Sequence, residues 1–271
     1  SREHVLQDFL GGRLTLPDGA VCRGCNNLLN RDIDQKLKRI FQATITWFGA
    51  SSSKRPSETP AEVIVRTNLG PVPATLGRDR ALRLPPRQLI DRIEDEDQAM
   101  EAWLVSDDQI EGLMDSLARR AERVEQIDAR KPDILGVEVP LKAKGNTLIR
   151  AAARAAINYL AFRLPSEVRH PVLGPAKSYV LTGADWSTKA EAPKELLSGN
   201  VDVSWLRPRH RIAVWTQGGR LCGYLSLFHG LWCALEIAPS WDGSPMAFAH
   251  EFEIEDGNSR SIDHEFTLDP T

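Results

Sequence analysis

Cysteine is scarce in this chain, net charge is small and long apolar runs are missing, and each shortage closes off a class of protein. Four cysteines in 271 residues are too few to staple a secreted disulfide scaffold, so reduced thiols are expected. No apolar run approaches the ~20 residues needed to cross a bilayer. The chain opens on Ser1-Arg2-Glu3-His4 and mixed sequence, not on a basic stretch followed by an apolar block, so a signal peptide is not expected either. The cytoplasm is the expected compartment, with no membrane partner. A formal net charge of −3 argues against a uniformly basic nucleic-acid binder. No internal repeat is visible. What remains is ordinary globular usage, 42% hydrophobic and 26% charged, in a chain long enough to bury a real core.

The small net charge conceals two unlike halves. Residues 1–90 hold 14 Lys+Arg against 8 Asp+Glu, and the rest holds 20 against 29, so polyanion contact is expected toward the N-terminus. A second basic island, Lys142, Lys144, Arg150, Arg154, Arg163, Arg169 and Lys177, is interrupted only by Glu167. It reads equally well as a contact surface or as a solvated helix face.

Turn chemistry and apolar spacing give a coarse layout. Leu14 and Leu16 alternate with polar residues before Pro17-Asp18-Gly19, which predicts a short hairpin over Arg13–Cys22. From about Cys25, the positions Leu28, Leu29, Ile33, Leu37, Ile40 and Phe41 recur at helical spacing. Residues 51–60 are polar with two prolines and read as a linker. Beyond it the spacing predicts a strand over 62–67, a helix after Ser106, a second helix from Asn146, and an antiparallel hairpin of 221–228 and 231–237 about His229-Gly230. In that hairpin Cys222 and Cys233 do not face each other and read as small buried hydrophobes. The tight Cys22-x-x-Cys25 pair instead has metal-ligand spacing. His170, His210, His229, His250 and His264 are scattered and read as surface or core residues.

Four features share the first thirty residues: Glu3-His4, Gly11-Gly12, Cys22-x-x-Cys25 and Asn26-Asn27 at the start of the helix. In order and spacing they resemble the HNH endonucleases, a family built on a ββα fold around one catalytic metal. The likeness covers about forty residues. It implies Glu3 and Asn26 as ligands of a catalytic Mg or Mn ion, His4 as general base, Cys22 with Cys25 as half of a structural zinc site, and Arg2 and Arg23 as phosphate contacts. Arg150 and Arg154 of the basic island are added as nucleic-acid contacts on charge. The resemblance also implies a second Cys-x-x-Cys upstream of Ser1, so the segment is expected to be truncated at its N-terminus. For the family's middle Asn, which holds the catalytic His through its backbone, Asp18 is the nearest polar candidate.

The chemistry suits these residue types. Phosphodiester hydrolysis needs a water deprotonated near neutral pH, which an imidazole can do, and hard oxygen donors such as Glu3 and Asn26 suit Mg or Mn. A hairpin and helix alone have almost no core, so cysteine-bound zinc is expected to replace packing. The sequence thus reads as α+β: a ββα-metal module over 1–50, a linker over 51–60 and a mixed α+β accessory domain over 61–271. The expected activity is cleavage of nucleic acid, DNA in the first place, with the accessory domain selecting or sensing the target. By analogy with bacterial proteins of this layout, phage defence or a mobile element is the setting. The alternatives are a zinc-knuckle module that binds nucleic acid without cutting, and a regulatory protein that keeps the segment as a remnant.

Overall fold

The opening residues must find an apolar surface beyond themselves, and that need shapes the fold. The structure, a computed structural model, describes residues 3–48, 60–68, 70–77, 79–84, 87–95, 98–104, 111–112, 115, 119, 133–138, 145–184, 186, 190–192, 209–228, 230–255 and 258–262. Contacts divide the chain into two compact units, Ser1–Pro56 with Leu141–Thr271, and Ser57–Pro140.

The chain first forms a bridge between His4 and Thr15, flanked by Val5 N–H to Leu14 C=O at 2.8 Å and Leu16 N–H to Glu3 C=O at 2.7 Å. The hairpin expected over Arg13–Cys22 is therefore corrected: Leu14–Leu16 pair backward with Glu3–Val5. Pairing that way buries Val5, Leu6 and Leu16 together, whereas Ala20 beyond the Pro17-Asp18-Gly19 turn is exposed and makes only a turn bond to Pro17 C=O. Helix α1 (Arg23–Leu29), a π-helical turn (Asn30–Asp34), α2 (Gln35–Ile40) and α3 (Gln42–Phe48) follow.

The unit of residues 57–140 contains β1 (Ala61–Thr67), β2 (Gly70–Leu76), β3 (Leu82–Arg83), β4 (Arg87–Asp95), β5 (Gln98–Leu104) and β6 (Ile134–Glu138). β3-β2-β1-β6 form one antiparallel sheet, and β4 pairs with β5 as a separate ribbon. β1, expected at 62–67, alternates as a half-buried strand should: Val63 and Val65 face inward with Val72, Ala74 and Leu76 of β2. The helix expected after Ser106 lies largely outside the described residues.

In the other unit, α4 (Gly145–Arg163) and α5 (Gly174–Thr182) accompany a five-stranded antiparallel sheet. Its strands are β7 (Arg209–Gln217), β8 (Arg220–Leu227), β9 (Leu231–Ala238), β10 (Ala247–Glu255) and β11 (Asn258–Ile262), in the order β11-β10-β7-β8-β9. The hairpin expected near His229-Gly230 is β8–β9. Cys222 lies opposite Glu236 and Cys233 opposite Leu225, so the two thiols do not pair, and burial pushes Cys222 up to about 11. Alanines 151, 152, 153, 155 and 156 are buried in α4, which is strongly helix-forming and small enough to lie close across β7, β8 and β9.

Val5, Leu6, Leu10, Leu16, Leu29, Ile33, Leu37 and Phe41 belong to the same buried cluster as the α4 alanines, Leu160 and the sheet residues Ile212, Val214 and Leu225. Phe41 and Phe48 also meet Phe228, with ring centroids 5.6 and 5.7 Å away. Packing on α4 and the sheet thus gives residues 3–48 the core that the sequence reading assigned to zinc. The compact units accordingly differ from the expected 1–50, linker, 61–271: residues 57–140 form one unit, and the chain returns at 141 to cover its own opening segment. No helix among the described residues is long and apolar enough to cross a membrane.

Candidate active site around His4

The Gly-Gly turn determines how His4 is presented. Gly11 closes the short 3-10 turn Asp8–Leu10 at φ 88°, a left-handed conformation that favours glycine. Any Cβ on Gly12 would run into the Leu6 backbone, 2.6 Å from its carbonyl carbon, so residue 12 must also be glycine for the turn to fold back on the Glu3–Leu6 strand. That return places Gly12 C=O 3.0 Å from His4 Nδ1. A carbonyl only accepts, so this contact requires the proton on Nδ1 and leaves the neutral ring with its lone pair on Nε2. Gly11→Ala is expected to lower stability by about 1–2 kcal/mol, read from the urea midpoint; an unchanged midpoint would mean the turn does not need the left-handed residue.

Next to His4, Glu3 is buried, and its carboxylate is held by Arg154 of α4, whose guanidinium also holds Asp34 in the π-helical turn. Burial pushes the Asp34 carboxyl above its usual range even though Arg154 and Gln7 pull it down. Asn158, one helical turn further along α4, donates from Nδ2 to His4 C=O at 3.0 Å. Asp18, the nearest polar candidate in the sequence for holding the His4 backbone, is exposed.

Cys22 caps α1: its sulfur accepts the Cys25 N–H at 3.0 Å. Hydrogen bonding from Cys25 lowers the pKa of the Cys22 thiol, and the same interaction raises that of Cys25. Both cysteines line a cavity of about 500 Å³ whose described walls include Arg154 and Asn158 but no further cysteine or histidine. Asn26 is half-buried in α1, its N–H bonded to Cys22 C=O at 2.9 Å. Among the described residues no three His, Cys, Asp or Glu side chains are placed to hold an ion. Among the described residues the cavity offers zinc two ligands, Cys22 and Cys25, and an ion at Glu3 would share a carboxylate that Arg154 also holds.

The nucleic-acid contacts are redistributed. Arg23 is exposed on the first turn of α1, and Arg2 lies outside the described residues. Arg150 and Arg154 are corrected. Arg150 is buried and donates to Val180 C=O at 2.8 Å and Leu181 C=O at 3.1 Å, satisfying carbonyls in the last turn of α5. Arg154 is 3% exposed and bound to two carboxylates, so neither guanidinium is open to a phosphate. The island breaks up further: Lys142 and Lys144 lie outside the described residues, Arg163 lies over the Phe248 ring at 4.8 Å, and Lys177 donates to Val168 C=O.

Sequence reading missed Asn158, Asp34 and the true role of Arg154. A signal was present: Arg150, Arg154 and Asn158 recur every four residues among alanines, a polar stripe on an otherwise apolar helix. Such a stripe on a buried helix faces other polar groups within the fold.

No curated protein and no solved structure matches the chain. Residues 1–42 match the model of one family, described as HNH endonuclease. The segment that presents His4 on its Gly-Gly turn is accordingly similar to the HNH endonucleases over those residues.

Proposed function

We propose that residues 3–48, seated on α4, hydrolyse phosphodiester bonds of nucleic acid, with DNA as the polymer and His4 as the general base. The observation that carries this reading is the His4 ring, half-buried and held through Nδ1 by Gly12, so that Nε2 is the nitrogen able to take a proton, within a segment that matches a nuclease family. Water gives a proton to Nε2, its oxygen bonds to phosphorus, and the bond from phosphorus to the leaving oxygen breaks. The leaving oxygen takes up a proton from solvent. Arg23, exposed on the first turn of α1, is the proposed phosphate contact.

A divalent ion, Mg or Mn, is proposed on the family match alone, as is zinc at Cys22 and Cys25. The rest of the chain is proposed to select the target, since a module this small reads little sequence.

The test is direct. Supercoiled DNA and single-stranded RNA are incubated with the full chain, with Mg²⁺, with Mn²⁺ and with EDTA. DNA nicking that needs an added ion and stops with EDTA is the expected result. Retention of DNA in a gel without cutting in any ion would overturn the nuclease reading in favour of a binding module.

A further inference from the structure

We infer that Asn158 is a positioning residue for His4: from the middle of α4, 154 positions away in sequence, it fixes the backbone of the base and thereby makes the opening segment depend on α4 for activity. The inference rests on the nuclease reading for its catalytic consequence and on the geometry alone for the positioning.

The bridge between His4 and Thr15 supplies the reason. Its two ladder bonds are made by the neighbours, Val5 N–H to Leu14 C=O and Leu16 N–H to Glu3 C=O. In such an antiparallel pair the bridged residue turns its own N–H and C=O away from the partner strand. His4 C=O therefore needs a donor from outside the hairpin, and Asn158 Nδ2 supplies it at 3.0 Å. The assignment of the amide follows, because a carbonyl can be met only by the NH₂ end. Asn158 is 6% exposed, which limits the competition from water for this bond.

His4 is thus held twice, its backbone by Asn158 and its ring by Gly12. The two restraints come from different parts of the chain. Gly12 belongs to the segment and fixes which nitrogen carries the proton. Asn158 belongs to a helix whose alanines lie on β7, β8 and β9, so the position of the base is referred to the body of that unit. A catalytic group must stay within about 0.5 Å of its productive place, and a displacement of about 1 Å costs on the order of 100-fold in rate. A lone restraint on the ring permits the short His4–Thr15 bridge to shift as a whole. The second restraint removes that freedom.

The experiment uses the full chain with Asn158→Leu, Asn158→Asp and a control, Tyr179→Phe. The control removes the 3.0 Å bond from Tyr179 Oη to Asn146 near the start of α4 and leaves the His4 contacts alone. Two readouts are taken: DNA-cleavage kinetics, and the ¹⁵N signals of the His4 ring, which report its tautomer without any need for cleavage. In Asn158→Leu, kcat is expected to fall about 10- to 100-fold with KM within about twofold of the parent, and the His4 signals to shift from the single Nδ1–H form toward a mixture. Asn158→Asp keeps the shape and loses the donor, so it behaves in the same way and replaces Asn158→Leu if that variant fails to fold. Tyr179→Phe should match the parent in both readouts. Parent kcat and parent His4 signals in a folded Asn158 variant would overturn the inference, as would equal losses in Tyr179→Phe. If the parent itself cuts nothing, the nuclease reading fails, and the His4 signals alone decide whether Asn158 positions the ring.

Discussion

Arg154→Met is expected to destabilise the unit that holds residues 3–48 by about 3–5 kcal/mol, the largest stability loss at any single residue of the site. The side chain is 3% exposed, and its guanidinium lies between the carboxylates of Glu3 and Asp34. Methionine fills similar volume but leaves two carboxylates facing each other with no cation, in a place where water cannot make up the loss. Asp34→Asn should be far milder, about 1 kcal/mol, and the reason lies in its titration. Burial outweighs Arg154 at Asp34 and raises the carboxyl above its ordinary value. The folded state therefore holds the Asp34 proton more tightly than the unfolded chain does. Its contribution favours folding below the ordinary carboxylate range and is lost as pH rises through the raised value. Neutralising Asp34 removes a charge that burial already disfavours, whereas neutralising its partner strands two. Urea unfolding at pH 7 followed by tryptophan fluorescence measures both. If Arg154→Met loses no more than Asp34→Asn, the carboxylates find solvent and the pairing described above is not what holds the segment to α4.

The parts of this protein that were legible in the sequence are those in which residue type and local spacing decide the outcome. Gly11-Gly12 is legible because one position needs a left-handed backbone and the other has no room for a Cβ. The β8–β9 hairpin is legible because its apolar runs are interrupted at one turn. The helix over residues 145–163 is legible because alanines and leucines recur at helical spacing. What stayed hidden depends on partners far apart in the chain. Arg150 and Arg154 looked like a cationic face since nothing nearby in sequence opposes them, yet their partners are Val180, Leu181, Glu3 and Asp34. The pairing of Leu14–Leu16 was misread because the Pro17-Asp18-Gly19 turn is a strong local signal, while Glu3–Val5 is a partner that only shared burial selects. The missing core of residues 3–48 was correctly sensed as a physical problem, but zinc was the remedy that the motif offered. The remedy found here is the helix from residue 145, which no reading of the first fifty residues could reveal.

The catalytic assignment makes the sharpest expected change. His4→Ala should lower the rate of DNA cleavage by about 10²–10⁴-fold, the range over which a positioned proton acceptor contributes, while DNA retention in a gel and the melting temperature stay near those of the parent. Folding is expected to survive because the His4 backbone bonds, to Asn158 and through its neighbours Val5 and Glu3 to Leu14 and Leu16, do not involve the ring. Two comparisons separate loss of a base from loss of a ligand. Free imidazole in solution should restore part of the His4→Ala activity, since the space left by the ring admits a diffusing base of the same chemistry, and extra Mg²⁺ or Mn²⁺ should restore none. Asn26→Ala should show the opposite pattern: if its amide helps to hold an ion, the defect shrinks as the ion is raised, because a neutral amide is a modest ligand that concentration can replace. Both variants are compared at saturating DNA so that kcat, not capture of the polymer, is read. If His4→Ala cuts as fast as the parent, His4 is not the base, and the Gly12 contact is part of the fold and nothing more.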